Sequence, residues 1–286
     1  MENCMICKAL NHESVLSLLP DRKETSHKGD FGKILLLCGS RGYTGAAYLA
    51  AMGALRSGAG LVFLGVPESI YAIEAIKLNE AIVFPLPDEN GMLSQAAVPE
   101  ILNRLPKMDA VLLGPGLGVG PGPLPVVTAV LEQFEGPVLL DADGITLLCA
   151  HKDILRGRTG PTVLTPHAGE FCRLGYEIGD HRAEAAEAAA IDLNCVMVLK
   201  GHNTVITDGY STYKNPTGNP GMAVGGSGDI LAGIITALMG QGHDALEAAA
   251  MGAWLHGAAG DLCAKEMGQY GMLPTDMLTR LPRLMK

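Results

Sequence analysis

The sequence of 286 residues lacks the features that mark several classes of protein. Its net charge is −9, and without an excess of lysine and arginine a nucleic-acid partner is not expected. The longest uncharged run, residues 110–131, contains five glycines and four prolines, which excludes a transmembrane helix there. The first residues show no basic segment followed by an apolar one, so we expect no secretory signal, no membrane partner and a cytoplasmic location.

Cysteine is also sparse, with seven residues that mostly occur singly. An odd number of scattered cysteines in a chain of this length does not indicate a disulfide framework. Cys4 and Cys7 have the spacing of a metal or redox pair, but no second pair accompanies them. We therefore predict reduced thiols and no metal held by the protein alone.

The sequence does contain a repeated alternation of short apolar runs and alanine-rich segments of helical length, which is typical of βαβ units. Strands are predicted at 34–37, 61–66, 111–113, 138–140, 163–164, 196–199 and 205–207, and helices at 46–56, 124–134, 183–193, 230–238 and 245–265. The Asp208-Gly209 pair predicts a hairpin, hence a late antiparallel pair. We predict a single α/β/α domain over residues 1–286, with three layers and a mostly parallel central sheet.

The glycine-rich segment 215–229, which leads into an apolar helix, is the most informative loop. Glycine lets backbone N–H groups approach an anion, and a helix N-terminus adds partial positive charge. These properties predict an anion hole formed by Gly225, Gly226, Ser227 and Gly228. Asp229 could act as general base toward a hydroxyl that attacks a phosphate, or it could serve only as the N-cap of the helix.

Two common nucleotide-binding motifs are absent, since the chain has neither the P-loop pattern nor the G-x-G-x-x-G spacing. Segment 114–122 could still wrap a ligand through backbone contacts, or it could be a flexible connector. Lys200 follows a predicted strand, where it could meet a nucleotide phosphate or be a solvated side chain in a turn. Asp141 and Asp143 follow another strand and could bind Mg²⁺ or a substrate hydroxyl, or form an Asx-capped turn.

A further helix start is predicted after strand 163–164. Thr165 fits an N-cap, Pro166 the first helical position and Glu170 the first turn. His167 has no such structural explanation, but no third ligand lies at a recognisable spacing, so a metal is not expected. Trp254 and His256 in the last long helix are expected in the core or on an oligomer face.

Taken in order, these loops resemble the NAD(P)H-hydrate dehydratase family of the ribokinase-like superfamily. The resemblance rests on segments 27–34, 39–46, 114–118, 141–143, 164–170, 200–201 and 218–229. Each segment is a weak signal alone, but together they cover nearly the whole chain. The sequence departs from the family pattern at Cys38, Ala47, Ala168 and Pro274, which affects the details of the loops.

The resemblance implies a hydro-lyase that repairs nicotinamide nucleotides. Such an enzyme dehydrates the S epimer of the 6-hydroxy hydrate of NADH or NADPH, using ADP or ATP with Mg²⁺; bacterial-type members are ADP-dependent. Phosphorylation would convert hydroxide, a poor leaving group, into phosphate. The resemblance also implies a homo-oligomer, with a tetramer as the expected state. Because the match begins by His27, the partner epimerase is expected on a separate chain.

The resemblance assigns roles by motif position. Asp229 would be the catalytic residue. The hydrate would meet Ala46, Gly116, Gly118, His167 and Asp229, and the adenine nucleotide would meet Lys200, Gly201, His202, Asn203, Thr204 and Gly228.

Two other functions remain open at this point. A ribokinase-like vitamin-precursor kinase, acting on a hydroxymethylpyrimidine, a thiazole or pyridoxal, would share the fold, the anion hole and the aspartate. A non-catalytic nucleotide sensor would keep the Lys200 loop without needing a base. The fate of the transferred phosphate distinguishes the kinase, and turnover excludes the sensor.

Overall fold

A ten-stranded sheet dominates the computed structural model, which describes residues 8–9, 11–19 and 22–286. The strands are β1 (Lys8–Ala9), β2 (Lys33–Leu37), β3 (Leu61–Pro67), β4 (Ile82–Leu86), β5 (Asp88–Glu89), β6 (Met92–Leu93), β7 (Ala110–Leu113), β8 (Val138–Leu140), β9 (Thr162–Leu164), β10 (Val196–Leu199), β11 (Val205–Thr207) and β12 (Thr212–Lys214). Strands β5 and β6 form a separate two-stranded ribbon. Cys4 and Cys7 lie outside the described residues.

Helices connect the strands. They are α1 (His12–Leu18), α2 (Thr44–Arg56), α3 (Glu68–Lys77), α4 (Val98–Arg104), α5 (Pro123–Gln133), α6 (Asp143–Leu148), α7 (Asp153–Gly157), α8 (Ala168–Arg173), α9 (Arg182–Leu193), α10 (Ser227–Gly240), α11 (Ala245–Met267) and α12 (Pro274–Arg280). None of the helices in the described part of the chain has both the length and the apolar character that a membrane crossing requires.

The strand order in the large sheet is β1-β12-β11-β10-β9-β8-β7-β2-β3-β4. Strands β10 to β4 run parallel, whereas β11 is antiparallel to both β10 and β12. The predicted mostly parallel sheet with a late antiparallel hairpin is confirmed. After β2, β3 and β4 the chain returns to the other side of β2 to form β7. The chain therefore continues from β2 and from β7 toward opposite edges of the sheet, and such a point leaves a crevice at the carboxyl ends of these two strands.

The apolar strands are buried on both faces, as the sequence predicts. Along β2, Ile34 and Leu36 belong to the core beneath α2, α10 and α11, whereas Leu35 and Leu37 belong to the core beneath α4, α5 and α9. This division follows from the alternation of side chains along a strand. The three-layer α/β/α architecture is confirmed. That residues 1–286 form a single domain stays a prediction.

Helices α2 and α10 pack closely because glycines lie at their contact. A methyl group on Gly233 would overlap the carbonyl oxygen of Ala50, and one on Gly53 would come within 2.6 Å of the carbonyl oxygen of Ile230. At the far end of α10, Gly240 packs on Ile34 near the start of β2. Helix α10 therefore runs antiparallel to β2, which brings its N-terminus to the carboxyl edge of the sheet.

The predicted elements correspond to β2, β3, β7 to β11, α2, α5, α9, α10 and α11, with ends that differ by a few residues. Helix α10 begins at Ser227 and not at Ile230. The hairpin after β11 turns through Asp208, whose Oδ1 accepts the N–H groups of Tyr210 and Ser211 at 2.8 and 2.7 Å. The structure adds elements that the sequence pattern did not predict, namely β1, β4, β5, β6, α1, α3, α4, α6, α7 and α12.

Candidate active site

Two glycine-rich loops meet at the crevice between β2 and β7. The N–H of Gly39 donates to the carbonyl of Pro115 at 2.8 Å, and Ser40 Oγ donates to the carbonyl of Gly116 at 2.8 Å. Gly116 has φ 60°, and a methyl group there would lie 2.9 Å from the Cβ of Ala46. Both the left-handed backbone and the close approach require glycine. The loop after β7 is therefore held in a defined turn.

Gly118 continues this turn and is fixed by Asp143. Its N–H donates to Oδ2 of Asp143 at 2.8 Å, and its φ is 88°. Asp143 is the first residue of α6, and Ala142 before it adopts φ 49°. The structure thus brings Ala46, Gly116 and Gly118, three of the five residues predicted to meet the hydrate, to one crevice. Asp143 holds the loop that carries two of them.

The predicted anion hole lies at the N-terminus of α10. Gly226, with φ 97°, is the N-cap, and no side chain caps the helix. In the described part of the chain, no acceptor is found for the N–H groups of Gly225, Gly226, Gly228 or Asp229. The N–H of Ser227 instead donates to the carbonyl of Val224 at 3.3 Å. Free N–H groups at the positive end of a helix are suited to bind an anion.

Asp229 is the third residue of α10, so the alternative that it caps this helix is wrong. Its carboxylate makes no hydrogen bond or ion pair with any described residue, although Asp229 is half-buried. Burial and the negative charge of Asp141 raise the pKa of Asp229 to about 6, against the opposing charge of Lys200. A carboxylate with such a pKa can take a proton near neutral pH, as a general base must.

Lys200 lies inside the site and not in a solvated turn. Its Nζ is 2.7 Å from Oδ1 of Asp141 and 3.8 Å from Oε2 of Glu170, and its side chain is 19% exposed. Thr165 Oγ1 donates to the same oxygen of Asp141 at 2.7 Å. Burial lowers the pKa of Lys200, but the charges of Asp141 and Glu170 outweigh it, so the pKa is raised and the amine stays charged. A methyl group on Gly228 would lie 3.4 Å from Nζ, which puts this cation beside the anion hole.

His167 is the N-cap of α8, so the predicted cap at Thr165 with Pro166 in the first helical position is wrong. Its Nδ1 accepts the N–H groups of Gly169 and Glu170 at 2.9 and 3.2 Å. Glu170 completes the capping box by accepting the N–H of His167 at 2.8 Å. With Nδ1 used as acceptor, a neutral ring carries its proton on Nε2, which lies 3.3 Å from Glu170 Oε1. The ring remains about half exposed.

The predicted nucleotide-binding residues form a turn after β10. Thr204 Oγ1 donates to the carbonyl of Gly201 at 2.9 Å, and Asn203 adopts φ 56°. Gly201 and His202 are exposed. Arg182, at the start of α9, donates to the carbonyls of Leu199 and Lys200 at 3.0 and 2.6 Å. The guanidinium of Arg182 therefore holds the start of this turn, a role that the sequence pattern did not predict.

Helix α11 supports the loop that leads to the anion hole. Asn215 Nδ2 donates to the carbonyl of Ala253 at 3.0 Å, and Thr217 Oγ1 donates to that of Trp254 at 3.0 Å. Asp261 accepts the N–H of Gly218 at 2.9 Å. Trp254 and His256 are buried, as predicted for core positions. His256 also reaches the anion hole, because its Nε2 lies 3.2 Å from Ser227 Oγ.

Several residues of the site were missed or misjudged from the sequence. Asp141, Glu170 and Lys200 form one charged cluster, yet they follow three different strands. Asp141 and Lys200 lie directly after apolar strands, which was a usable signal, because carboxyl ends of neighbouring parallel strands meet at one edge. Arg182 and His256 gave no signal, since each acts across the structure on a distant loop. No group of three or more His, Cys, Asp or Glu side chains among the described residues is arranged to hold a metal ion.

Comparison with known proteins identifies the family. The family model described as NAD(P)H-hydrate dehydratase matches residues 34–283. The bifunctional NAD(P)H-hydrate repair enzyme Nnr of Moorella thermoacetica is 44% identical over 277 residues, which cover 94% of this chain and 52% of that relative. The chain spans about half the length of the bifunctional relatives that it matches.

Solved structures agree with this match. The ADP/ATP-dependent NAD(P)H-hydrate dehydratase from Bacillus subtilis, co-crystallised with ATP and Mg²⁺, is 34% identical with a TM-score of 0.83, covering 96% of each chain. A ribokinase-like superfamily protein from Enterococcus faecalis is 29% identical with a TM-score of 0.87, covering 100% of this chain and 98% of that one. The predicted ribokinase-like fold is therefore confirmed. Since the family model spans every strand from β2 to β12 and every loop of the site, the chain belongs to the NAD(P)H-hydrate dehydratase family.

Proposed function

We propose that the protein dehydrates the S epimer of the 6-hydroxy hydrate of NADH or NADPH and thereby restores the reduced coenzyme. The observation that carries this proposal is the carboxylate of Asp229, which has no partner among the described residues and lies beside free N–H groups at the start of α10. A base next to an anion hole suits a reaction in which a hydroxyl attacks a phosphate. The family to which the chain belongs indicates that this hydroxyl is the one on the NAD(P)H hydrate.

The reaction divides into two steps. Asp229 takes the proton of the hydroxyl on the hydrate while the hydroxyl oxygen bonds to the terminal phosphorus of the nucleotide. The bond between that phosphorus and the bridging oxygen of the nucleotide breaks. With ADP as donor, AMP leaves. The carbon–oxygen bond of the phosphorylated hydrate then breaks, phosphate departs, and the neighbouring ring carbon loses a proton to form the double bond. Phosphate is a far better leaving group than hydroxide, so phosphorylation by the nucleotide makes the elimination easier.

The transferring phosphoryl group would be stabilised by charge and by N–H donors. The N–H groups of Gly226 and Gly228, which have no acceptor among the described residues, would donate hydrogen bonds to it, and Lys200 would contribute a positive charge next to them. The turn from Gly201 to Thr204 would receive the adenine nucleotide. The loop with Gly116 and Gly118, together with Ala46 and the half-exposed His167, would receive the hydrate.

Mg²⁺ fits the donors of this site. Magnesium usually uses one or two carboxylates and completes its shell with phosphate and water, so a complete protein cage is not needed. Asp141, directly after β8, and Glu170, on α8, would hold it. When bound, Mg²⁺ would neutralise charge on the nucleotide phosphates.

The proposal extends to nucleotide, partners and location. We expect ADP to support the reaction better than ATP, and we expect either NADH or NADPH hydrate as substrate, in a cytoplasmic homotetramer. An epimerase that interconverts the hydrate epimers would be its functional partner, and its placement on a separate chain stays a prediction.

The test is an assay of the chain with hydrated NADH, ADP and Mg²⁺, which follows the absorbance of the restored nicotinamide and the release of inorganic phosphate. We expect one phosphate and one AMP for each coenzyme restored. Phosphate that stays on the product would favour the vitamin-kinase alternative instead. Replacing ADP by ATP in matched assays tests the nucleotide, and a tenfold higher rate with ATP would overturn the expected preference.

A further inference from the structure

A buried histidine on α11 contacts the side chain of Ser227, one of the residues of the anion hole. His256 is 8% exposed and Ser227 is also 8% exposed, and their Nε2 and Oγ atoms are 3.2 Å apart. Ser227 is the first residue of α10 and lies between Gly226 and Gly228, which carry free N–H groups. The contact thus joins two helices at the one point where the anion-binding backbone begins.

The other polar contacts between α11 and this loop occur earlier in the chain. Asn215, Thr217 and Gly218 are held by Ala253, Trp254 and Asp261. A methyl group on Gly257 would come within 2.7 Å of the backbone of Thr217, so the loop lies directly on the helix. These contacts fix residues 215–219. Among the described residues of α11, only His256 makes a polar contact with the turn itself.

Core packing alone does not explain a histidine at this position. A buried imidazole and a buried hydroxyl each lose hydration, whereas a leucine would fill similar space without that cost. Burial lowers the pKa of His256 to about 4, so the ring is neutral and adds no charge to the anion hole. In either tautomer the pair shares one hydrogen, which restricts rotation of the Ser227 side chain and of the peptide that follows it.

We propose that His256 is a positioning residue for the anion-binding turn, acting through Ser227 to aim the N–H groups of Gly228 and Asp229 and the Asp229 carboxylate. This inference rests on the proposed function, because the ligand that the turn receives is the transferring phosphoryl group. Positioning of donors matters most in the transition state, where charge develops on that group. Loss of the contact should therefore lower kcat more than it changes nucleotide affinity.

The test uses the full chain and four variants: His256→Leu, His256→Gln, Ser227→Ala and the double variant with His256→Leu and Ser227→Ala. We expect His256→Leu to lower kcat about tenfold with less than a threefold change in the KM for ADP. Glutamine places an amide nitrogen near the position of Nε2, so His256→Gln should keep kcat within about threefold of the parent. The double variant should lose no more than the worse single variant, because both remove one contact.

Thr236→Val is the matched control. It removes another buried hydroxyl of α10, one that donates to the carbonyl of Ala232 at 2.8 Å, away from the site. Its melting temperature should fall while kcat of the folded enzyme stays at the parent value. If His256→Leu and Ser227→Ala behave like this control, the contact is only structural and the proposal is overturned. Multiplying losses in the double variant would overturn it as well.

A second readout separates this inference from the proposed function. Orthovanadate with AMP mimics a transferring phosphoryl group, and its binding is measurable by calorimetry without the hydrate. We expect His256→Leu to weaken it about tenfold and His256→Gln to leave it near the parent value. Absence of hydrate turnover in the parent would refute the proposed function alone. Unchanged vanadate binding in both His256→Leu and Ser227→Ala would refute the positioning role.

Discussion

The protonation of Asp229 reflects a balance between two neighbours of opposite charge. Burial and Asp141 raise its pKa to about 6, and Lys200 acts against them. Lys200 in turn is bound to Asp141 at 2.7 Å, so it cannot fully neutralise Asp229. The site therefore keeps a base that is ionised at neutral pH but still able to hold a proton.

Replacing Asp229 by Asn should lower kcat by about 10²–10⁴-fold, since the general base is lost. Asp229 does not cap α10, so the fold should remain intact. A raised carboxyl pKa means that the charged form is less favourable in the folded state. Asp229→Asn should thus increase stability at pH 8 by about 1–2 kcal/mol, and the gain should disappear near pH 4, where the folded parent is protonated.

The measurements are kcat with hydrated NADH and ADP, ADP affinity, and the melting temperature at both pH values. Activity within tenfold of the parent would show that Asp229 is not the base. A variant less stable than the parent at pH 8 would contradict the assigned pKa shift.

The two neighbours of Asp229 should shift the pH profile in opposite directions. A base must be deprotonated, so kcat/KM of the parent should fall as pH drops below about 6. In Asp141→Asn a charge that raises the pKa is removed and Lys200 is released, so the acid limb should move to lower pH. In Lys200→Ala a charge that lowers the pKa is removed, so the limb should move to higher pH.

The measurement is the pH dependence of kcat/KM for the parent and both variants, compared by the position of the limb and not by absolute rates. Shifts of the same sign in the two variants would contradict this electrostatic account.

Some residues of the site were accessible to sequence reasoning, and others were not. Asp229 and the glycines before it follow a local pattern, so their anion hole could be predicted. The role of His167 as N-cap could not, because imidazole is not a preferred cap and Thr165 offered a better one. Thr165 is drawn instead to Asp141, a contact 24 positions away along the chain. Such long-range partners depend on strand order, which no local pattern contains.

The helices that frame the site depend on close contact between α2 and α10. Alanine normally stabilises a helix relative to glycine, by about 1 kcal/mol. Gly233 is an exception, because the methyl group of an alanine at this position would overlap the carbonyl oxygen of Ala50. Gly233→Ala should therefore lower the free energy of unfolding by about 1–3 kcal/mol, as overpacking does.

Gly45→Ala on α2 is the control, since nothing lies within 4 Å of a methyl group there. It should leave stability unchanged or increase it. Denaturant unfolding of both variants checks the prediction, and equal stability of the two would show that the helices can move apart at no cost.

Elements with a strong local pattern were predicted well. Strands β8, β10 and β11 match the predicted ranges because they are short, apolar and bounded by turns. Strand β4 was missed because it is an edge strand that contains Pro85, and its residues alternate between exposed and buried. The start of helix α8 was predicted two residues too early, because its six residues are too few for a helical period to show in the sequence.

The whole molecule exposes apolar side chains near the β4 edge of the sheet. Ile73 and Ile76 lie one turn apart on α3 and are 46% and 81% exposed, and Ile82 on β4 is 43% exposed. Isolated apolar residues on a surface are common, whereas apolar residues grouped on one face can mark a site of protein contact. The predicted homotetramer would use this face.

Ile76→Glu should therefore shift the protein toward smaller species, while Ile191→Glu, at an exposed apolar position of α9 facing elsewhere, should not. Light scattering after size exclusion gives the masses. A monomeric parent would refute the tetramer, and a tetramer that persists in Ile76→Glu would place the interface on another face.

The unused N–H groups at the start of α10 also make the site observable without any label. Amides that lack an acceptor exchange quickly with deuterium, so Gly226, Gly228 and Asp229 should exchange fast in the free protein although they belong to the cap and first turn of a helix of 14 residues. A bound phosphate would slow all of them together. Hydrogen exchange of the peptide that contains them would thus measure occupancy of the site directly, for any nucleotide and in any variant, whether or not it turns over.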